Sequence, residues 1–295
     1  MSDFSTPWID KKRGYLSDWL TQLWVKSSRY NIDPQKETWL DGPIGEPKII
    51  GESYFEEFAN KNNLIIETGS EEGLVDDFSH LNSTQFSSEK VHPRIIEFYE
   101  STSRFELDIW SEWSTPAKPF GWLLSTLFSR RIQQLNLPVS ALDSSRGITS
   151  EIIALKKESN KAIQYVGWLR KVVKTGNVIY AGAYTSCTPP NLGYECVKVV
   201  FPLPNGNATV VLWPENMEDG SLKLHSSGNE FGDGGFYLLV YSSSEKAYVK
   251  YVKAIKETIH VYLDENNELR TDHIFKFLGA TFLQLHYRIR EKRFA

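Results

Sequence analysis

The amino-acid sequence predicts an α+β protein in which a helical N-terminal half packs on a C-terminal antiparallel β-sheet or barrel. From Gly147 onward, apolar and polar residues alternate with the two-residue period of half-buried strands, whereas helical spacing prevails before Gly147. Seven of the nine tryptophans also precede Gly147, which indicates that the two halves pack differently. We therefore divide the chain into a helical, Trp-rich region with one strand at 1–146 and a β domain at 147–295.

Helical spacing in the N-terminal half predicts four helices: Tyr15–Val25, Glu52–Asn60, a segment opened by His92-Pro93, and Phe120–Leu135. Proline suits the first turn of a helix, where its missing N–H would have no partner. The first helix is expected to bury one apolar face, formed by Leu16, Trp19, Leu20, Leu23 and Trp24.

The rest of this half contains one predicted strand and one predicted loop. Phe105, Leu107 and Ile109 alternate with acidic residues, as in a half-buried strand. The segment Glu67–Lys90 is polar and is expected to be a surface loop. Its apolar residues Leu74, Phe78 and Leu81 are expected to attach it to the core.

Ten strands are predicted after Gly147, at a spacing of about ten residues that is typical of a meander or an up-and-down barrel. Asn205-Gly206 favours a type I′ hairpin turn, because both residues tolerate positive φ. One helix, Glu245–Glu257, is expected to interrupt the sheet. The predicted strands are Thr149–Lys156, Ile163–Val172, Asn177–Cys187, Glu195–Pro202, Ala208–Trp213, Ser221–Ser226, Gly235–Ser242, Thr258–Leu263, Glu268–Leu278 and Thr281–Arg290.

Composition narrows the classes of function. A net charge of −4 argues against a nucleic-acid partner, because nucleic-acid binders carry a basic surplus. The sequence has no secretory signal and no apolar run of eighteen residues, so a cytoplasmic location is expected. Two cysteines cannot build a four-ligand zinc site, and the glycine-rich segment 228–235 lacks the lysine of a phosphate loop. We expect no metal and no cofactor.

His273 is the candidate for chemistry. It shares a strand face with Leu269, Thr271 and Phe275, so it points to the apolar side, where it could contact a ligand or act as a general base. Two alternatives stay open: a hydrogen-bonded core histidine, or an anion site formed by His286 and Arg288 on the opposite face of the last strand. The ligand-binding residues that we predict are Trp168, Tyr180, Tyr184, His273, Phe275, His286 and Arg288; Tyr165, Phe201 and Phe236 are further candidates to line the interior.

Several segments resemble a family of uncharacterised bacterial proteins. They include Leu107-Asp108-Ile109-Trp110-Ser111, Ser129-Arg130-Arg131-Ile132-Gln133-Gln134, Phe201-Pro202-Leu203-Pro204-Asn205-Gly206 and Arg270-Thr271-Asp272-His273. The resemblance implies no particular activity. The β-rich half is also loosely similar to lipocalin and START-type ligand-binding folds, which by fold analogy implies an internal ligand site.

Three functions are consistent with these patterns. The first is non-catalytic binding of an apolar or amphipathic small molecule in a β-barrel cavity. The second is an enzyme, a cyclase, isomerase or hydrolase, that acts on such a ligand. The third is a membrane-peripheral or partner-binding protein that uses the aromatic and basic segment Phe120–Arg131. The patterns do not predict an oligomeric state.

Overall fold

The computed structural model describes residues 16–27, 30–45, 50–69, 71–114, 148–172 and 178–292. The described part of the N-terminal half contains three α-helices and three strands: α1 (Leu16–Lys26), β1 (Tyr30–Ile32), α2 (Tyr54–Asn62), β2 (Leu64–Glu67), α3 (Pro93–Glu100) and β3 (Phe105–Trp113). Short 3₁₀ turns lie at Phe78–Leu81, Ser88–Lys90 and Thr102–Arg104.

The remaining described residues form eleven strands. They are β4 (Ile148–Lys157), β5 (Ile163–Val172), β6 (Val178–Cys187), β7 (Cys196–Leu203), β8 (Gly206–Asn216), β9 (Leu222–Ser226), β10 (Gly235–Ser243), β11 (Lys246–Tyr251), β12 (Ile255–Leu263), β13 (Leu269–Phe277) and β14 (Ala280–Glu291). All ten predicted strands are therefore present, with ends that differ by a few residues. Alternation or short β-branched runs predicted them well, because each strand turns at least one apolar face to a core.

The strands form two antiparallel layers that share β8. The large sheet has the order β2-β4-β5-β6-β7-β8-β10-β11-β1, and the small sheet has the order β8-β9-β12-β13-β14-β3. The first part of β8 pairs with β7 and β10, whereas Trp213–Asn216 pairs with β9. The pairing runs from β2 to β3 without closing, so the described strands form an open sheet and the predicted barrel is wrong.

Three apolar clusters surround the large sheet. On its outer face, α2 packs Phe55 and Ala59 against β4, β5 and β6, and Trp39 and Leu40 pack against β10 and β11. Its inner face meets the small sheet, α3 and the preceding loop in the main cluster. Leu74, Phe78 and Leu81 are buried there, which confirms the predicted attachment of that loop. Because both faces of the large sheet are covered, long runs of consecutive residues in strands such as β5 and β7 are buried, instead of every second residue.

The described part of the N-terminal half is not a helical layer. It supplies β1 and β2 to the large sheet and β3 to the small sheet. The fold is therefore mostly antiparallel β-structure, and the expected helical half is corrected. The predicted helix Phe120–Leu135 lies outside the described residues, and the boundary at residue 147 stays a prediction.

The predicted helix Glu245–Glu257 is wrong: β11 and the start of β12 occupy this segment. Ala247, Val249 and Tyr251 all pack into the outer cluster of the large sheet, an alternation that only a strand allows. Tyr248, Val252 and Ile255 do lie at helical spacing. Three apolar positions within eight residues are too few to distinguish a helix from two short strands.

The β7–β8 hairpin is present, but its turn lies one residue earlier than predicted. Leu203 pairs with Gly206, so the two loop residues are Pro204 and Asn205, of which Asn205 has φ +60°. Gly206 is instead required by packing, because a Cβ there would lie 1.9 Å from the carbonyl oxygen of Leu239 in β10. This close approach allows β8 to pair with strands on both sides.

Candidate functional site

A cavity of about 460 Å³ lies between the two sheets. Strands β5, β6, β7, β8 and β10 form one wall, and β3, β9, β12, β13 and β14 form the other. Most side chains that line it are apolar, and among them are Val199, Leu212, Leu224, Leu285 and Ile289. A cavity of this volume is within the range of about 300–1,000 Å³ that is usual for small-molecule sites.

An aromatic cluster forms the large-sheet wall. The rings of Trp168 and Tyr180 meet edge to face with centroids 5.8 Å apart, and Tyr180 meets Phe201 in the same way at 5.3 Å. The hydroxyl groups of Tyr180 and Tyr184 are hydrogen-bonded to each other. Burial raises the pKa of both phenols above the usual value, so both stay protonated at neutral pH.

Strand alternation and one glycine position this cluster. Trp168 and Arg170 share the inner face of β5, while Tyr165 lies on the outer face in the cluster below α2. Tyr180 and Tyr184 share the inner face of β6 on either side of Gly182. A Cβ on Gly182 would lie 2.9 Å from the ring and hydroxyl of Tyr180, so only glycine leaves room for that ring.

Arg170 carries a positive charge into this wall. The residue is 6% exposed, and its guanidinium carbon lies 5.5 Å from the Trp168 ring centroid and 5.6 Å from that of Tyr287. One terminal nitrogen donates to the carbonyl oxygen of Leu107 at 3.5 Å. The Nε atom is buried and has no hydrogen-bond partner among the described residues.

The small-sheet wall carries a hydrogen-bonded acid and base. His273 Nε2 contacts Glu257 Oε1 between neighbouring strands, and the second oxygen of Glu257 accepts from Ser226 Oγ at 3.5 Å. The side chain of Glu257 is 9% exposed and that of His273 is 14% exposed. The His273 ring also lies against Phe275, with centroids 4.1 Å apart. A buried carboxylate next to an imidazole can hold or transfer a proton.

One face of α1 also lines the cavity, through Asp18, Thr21, Gln22 and Val25 at helical spacing. Gln22 is 3% exposed; its Nε2 donates to the carbonyl oxygen of Pro204 at 3.2 Å, and its Oε1 has no hydrogen-bond partner among the described residues. The predicted apolar face is wrong, because Leu20 and Trp24 are 57% and 46% exposed.

The structure brings five of the seven predicted ligand-binding residues to the cavity: Trp168, Tyr180, Tyr184, His273 and Phe275. Phe201 and Phe236 also line it, and Tyr165 does not. Their role as ligand contacts stays a prediction.

His286 and Arg288 are not among the lining residues. They lie on the other face of β14, where His286 Nδ1 is 2.7 Å from Asp272 and Arg288 donates to Glu268 at 2.8 Å. Each candidate cation of the predicted anion site therefore has a carboxylate partner. The segment Phe120–Arg131, predicted to meet membranes, lies outside the described residues.

Sequence reasoning missed Arg170, Tyr287 and Gln22 and could not place Glu257. The inward position of Arg170 follows from its two-residue spacing from Trp168, and that of Tyr287 from its spacing from Leu285. Alternation puts Tyr287 on the same strand face as Leu283 and Leu285, but it does not show that this face meets the face of β5 that carries Arg170.

Comparison with known sequences gives one bacterial relative. The chain is 28% identical over 246 residues to a protein called "Uncharacterized membrane protein YndJ" from Bacillus subtilis (strain 168). The match covers 81% of this chain and 41% of that protein, so the chain spans less than half of its relative's length. No protein-family model matches the chain, and no solved structure matches it.

This match confirms the resemblance to uncharacterised bacterial proteins, whereas the loose similarity to lipocalin and START-type folds is not supported. It also contradicts the expected cytoplasmic location, because the relative is called a membrane protein. None of the helices among the described residues has the length and hydropathy that crossing a bilayer requires.

Proposed function

We propose that this chain binds a small amphipathic molecule in the cavity between the large sheet and the small sheet. The observation that carries this proposal is the cavity of about 460 Å³, which is lined mostly by apolar side chains. Protein interiors are normally close-packed, with few voids larger than a water molecule. A space of this size is therefore best explained by a molecule that fills it.

The polar groups in the lining favour an amphipathic ligand over a purely apolar one. Arg170, Tyr180, Tyr184 and Gln22 all reach the cavity. Small-molecule sites typically combine apolar walls with a few polar groups that fix the orientation of the ligand.

A cavity-filling substitution tests binding. Thr271 is 6% exposed and lines the cavity from β13, so Thr271→Phe fills part of it. Asp272 is the next residue and points to the opposite face, so Asp272→Phe is the matched control. We expect the neutral dye Nile red to bind the natural protein and Asp272→Phe saturably, and to bind Thr271→Phe at least about ten-fold more weakly.

Circular dichroism and thermal unfolding establish that both variants are folded. Equal binding of Nile red by the two variants would place the dye outside the cavity and contradict the proposal. Native mass spectrometry after mild purification gives a second test: a co-purifying small molecule with Asp272→Phe, and none with Thr271→Phe, is the expected result.

A second function, acid–base chemistry on the bound molecule, is favoured by one specific observation. Glu257 is the second ionisable group beside His273, and both line the same cavity. His273 would then act as the general base, with Glu257 orienting its imidazole.

The outward His286–Asp272 pair supplies the control for this second function. If a co-purified ligand is converted on incubation, His273→Gln should slow the conversion by roughly 10²–10⁴-fold, whereas His286→Gln should leave it unchanged. If the ligand keeps its mass and its retention time after incubation with the natural protein, the function is limited to binding.

A further inference from the structure

We infer that the ligand is a single-chain carboxylate whose head group pairs with the guanidinium of Arg170. This inference rests on the proposed function and adds the chemical class of the ligand. It depends on the burial of Arg170, its incomplete hydrogen bonding and the charges that share the cavity with it.

The first step is the burial of the Arg170 charge. Arg170 is 6% exposed, and no carboxylate among the described residues lies within ion-pair distance of it. A buried charge is costly unless it is paired, and arginine stays protonated in proteins. Among the described residues, Arg170 is therefore a cation in an apolar wall with no carboxylate partner, and an anionic ligand would stabilise it.

The second step concerns which hydrogen-bond donors of the Arg170 guanidinium are not occupied. The carbonyl of Leu107 accepts from one terminal nitrogen, and the Tyr287 hydroxyl is also hydrogen-bonded to the Arg170 side chain. The rings of Trp168 and Tyr287 flank the guanidinium. Nε has no hydrogen-bond partner among the described residues. A carboxylate forms two parallel hydrogen bonds with one edge of a guanidinium, and an edge that includes Nε suits this geometry.

The third step is the charge of the head group. The other acidic and basic side chains in the lining are Asp18, Glu257 and His273. Glu257 is hydrogen-bonded to His273 and to Ser226, so its two oxygens are already engaged. Among the described lining residues Arg170 is the one arginine or lysine, and a single guanidinium suits a monoanion better than a phosphate dianion.

The fourth step is a supply of neutral donors beside the arginine. Burial raises the pKa of Tyr287, an effect that Arg170 partly offsets, so the hydroxyl of Tyr287 stays protonated. The ring of Tyr287 lies next to the guanidinium, and both Tyr287 and Tyr180 line the cavity. These phenols can donate hydrogen bonds to the second oxygen of a bound carboxylate.

Competition with Nile red measures the head-group preference. The probes are dodecanoate, dodecanol and dodecyl phosphate, which share one alkyl chain. In the natural protein we expect dodecanoate to displace the dye at the lowest concentration. Arg170→Gln should weaken dodecanoate binding roughly 10- to 100-fold and leave dodecanol binding unchanged, because a charge-assisted hydrogen bond is lost while the tail contacts remain.

Arg288→Gln is the matched control, since Arg288 faces away from the cavity and pairs with Glu268. It should retain the full preference for dodecanoate. Arg170→Lys keeps the charge without the paired donors, so an intermediate affinity is expected. The ratio of the affinities for dodecanoate and dodecanol is measured within each protein. A lower folded fraction of a variant affects both affinities equally and leaves this ratio unchanged.

Each other outcome has a defined meaning. If the natural protein binds dodecanol as tightly as dodecanoate, or if Arg170→Gln keeps the preference for the acid, the inference fails and the proposed function stands. Tighter binding of dodecyl phosphate than of dodecanoate overturns the choice of a carboxylate. If neither Nile red nor any of the three probes binds, the proposed function itself fails.

Discussion

Glu257 and His273 form a hydrogen bond between adjacent strands although they are not directly opposite in the ladder. Glu257 pairs with Phe275, and His273 pairs with Ile259, so the contact is diagonal across the inner face of the small sheet. Diagonal neighbours lie about 7–8 Å apart at their Cα atoms, a distance that two longer polar side chains can span.

A double-mutant cycle should measure strong coupling across this contact. Glu257→Gln and His273→Gln should each lower the free energy of unfolding by about 1–3 kcal/mol, because each leaves a buried polar partner incompletely satisfied. The double variant should cost at least about 0.5 kcal/mol less than the sum of the two. Urea unfolding gives these values. The same cycle on Asp272 and His286, an exposed pair, should give a coupling below about 1 kcal/mol.

Stability should fall as the pH falls below 6.5, in part through His260. Burial and the charge of Lys223 lower the pKa of His260 from its ordinary 6.5, so the unfolded chain takes up this proton at a higher pH than the folded chain. The loss begins below pH 6.5 and stops growing once the pH is below the folded-state pKa. His260→Gln should therefore reduce the change in the urea unfolding midpoint between pH 7.5 and pH 5. His80→Gln, at an exposed histidine, serves as the control; an equal effect of both variants would contradict the assignment.

Gly206→Ala should lower the free energy of unfolding by about 1–3 kcal/mol through overpacking against the backbone of β10. A methyl group would lie 1.9 Å from the Leu239 carbonyl oxygen, and backbone cannot move aside as a side chain can. Gly69→Ala is the control, because the nearest atom to its added Cβ is 3.7 Å away, and its effect should stay within about 0.5 kcal/mol. Similar unfolding midpoints for the two variants would show that β8 and β10 can separate at this point.

The two cysteines should react slowly in the folded protein. Cys187 and Cys196 are directly opposite in the β6–β7 ladder and are 8% and 0% exposed. Burial raises the pKa of Cys187 to about 11 and that of Cys196 further, so the reactive thiolate is scarce at neutral pH. We expect Ellman's reagent at pH 8 to label both thiols only after denaturant is added. Rapid labelling of the native protein would be inconsistent with this packing.

Substitutions on the two faces of α1 should differ in cost. Val25 is 1% exposed on the cavity side, and Val25→Ala should lower the free energy of unfolding by about 1–2 kcal/mol. Leu20 is 57% exposed, so Leu20→Ala should change it by less than about 0.5 kcal/mol. Thermal unfolding followed by circular dichroism is sufficient. The opposite ranking would restore the helix orientation that the apolar spacing predicts.

Period-two alternation predicted the strands of the small sheet because one face of that sheet is buried, as in β13, where Thr271, His273 and Phe275 all point inward. The same alternation failed to place Arg170. In β5 the residues from Tyr165 to Arg170 are all buried, since α2 covers one face and the small sheet the other. When both faces of a strand are buried, the sequence has no polar face, and the pattern does not show which face lines the interior.

The face of α1 was mispredicted for a related reason. Apolar spacing normally marks the buried side of a helix, but α1 turns Asp18 and Gln22 toward a cavity that already contains polar groups. A helix that borders a cavity with polar lining can bury polar side chains as well as apolar ones. The contact between Glu257 and His273 could not be predicted either, because it depends on the register of two strands that are joined by a turn.

The shared strand β8 limits how far the large sheet and the small sheet can move apart. Its backbone is hydrogen-bonded to β7 and β10 in one layer and to β9 in the other, so along this seam the two layers are a single covalent and hydrogen-bonded unit. Spreading them there would break a ladder, whereas no described pairing joins β2 to β3 at the far ends. The hydrogen-bond ladders therefore hold the two layers together along β8, and at the opposite margins, near β3 and β5, side-chain contacts such as that of Arg170 with the Leu107 carbonyl do so.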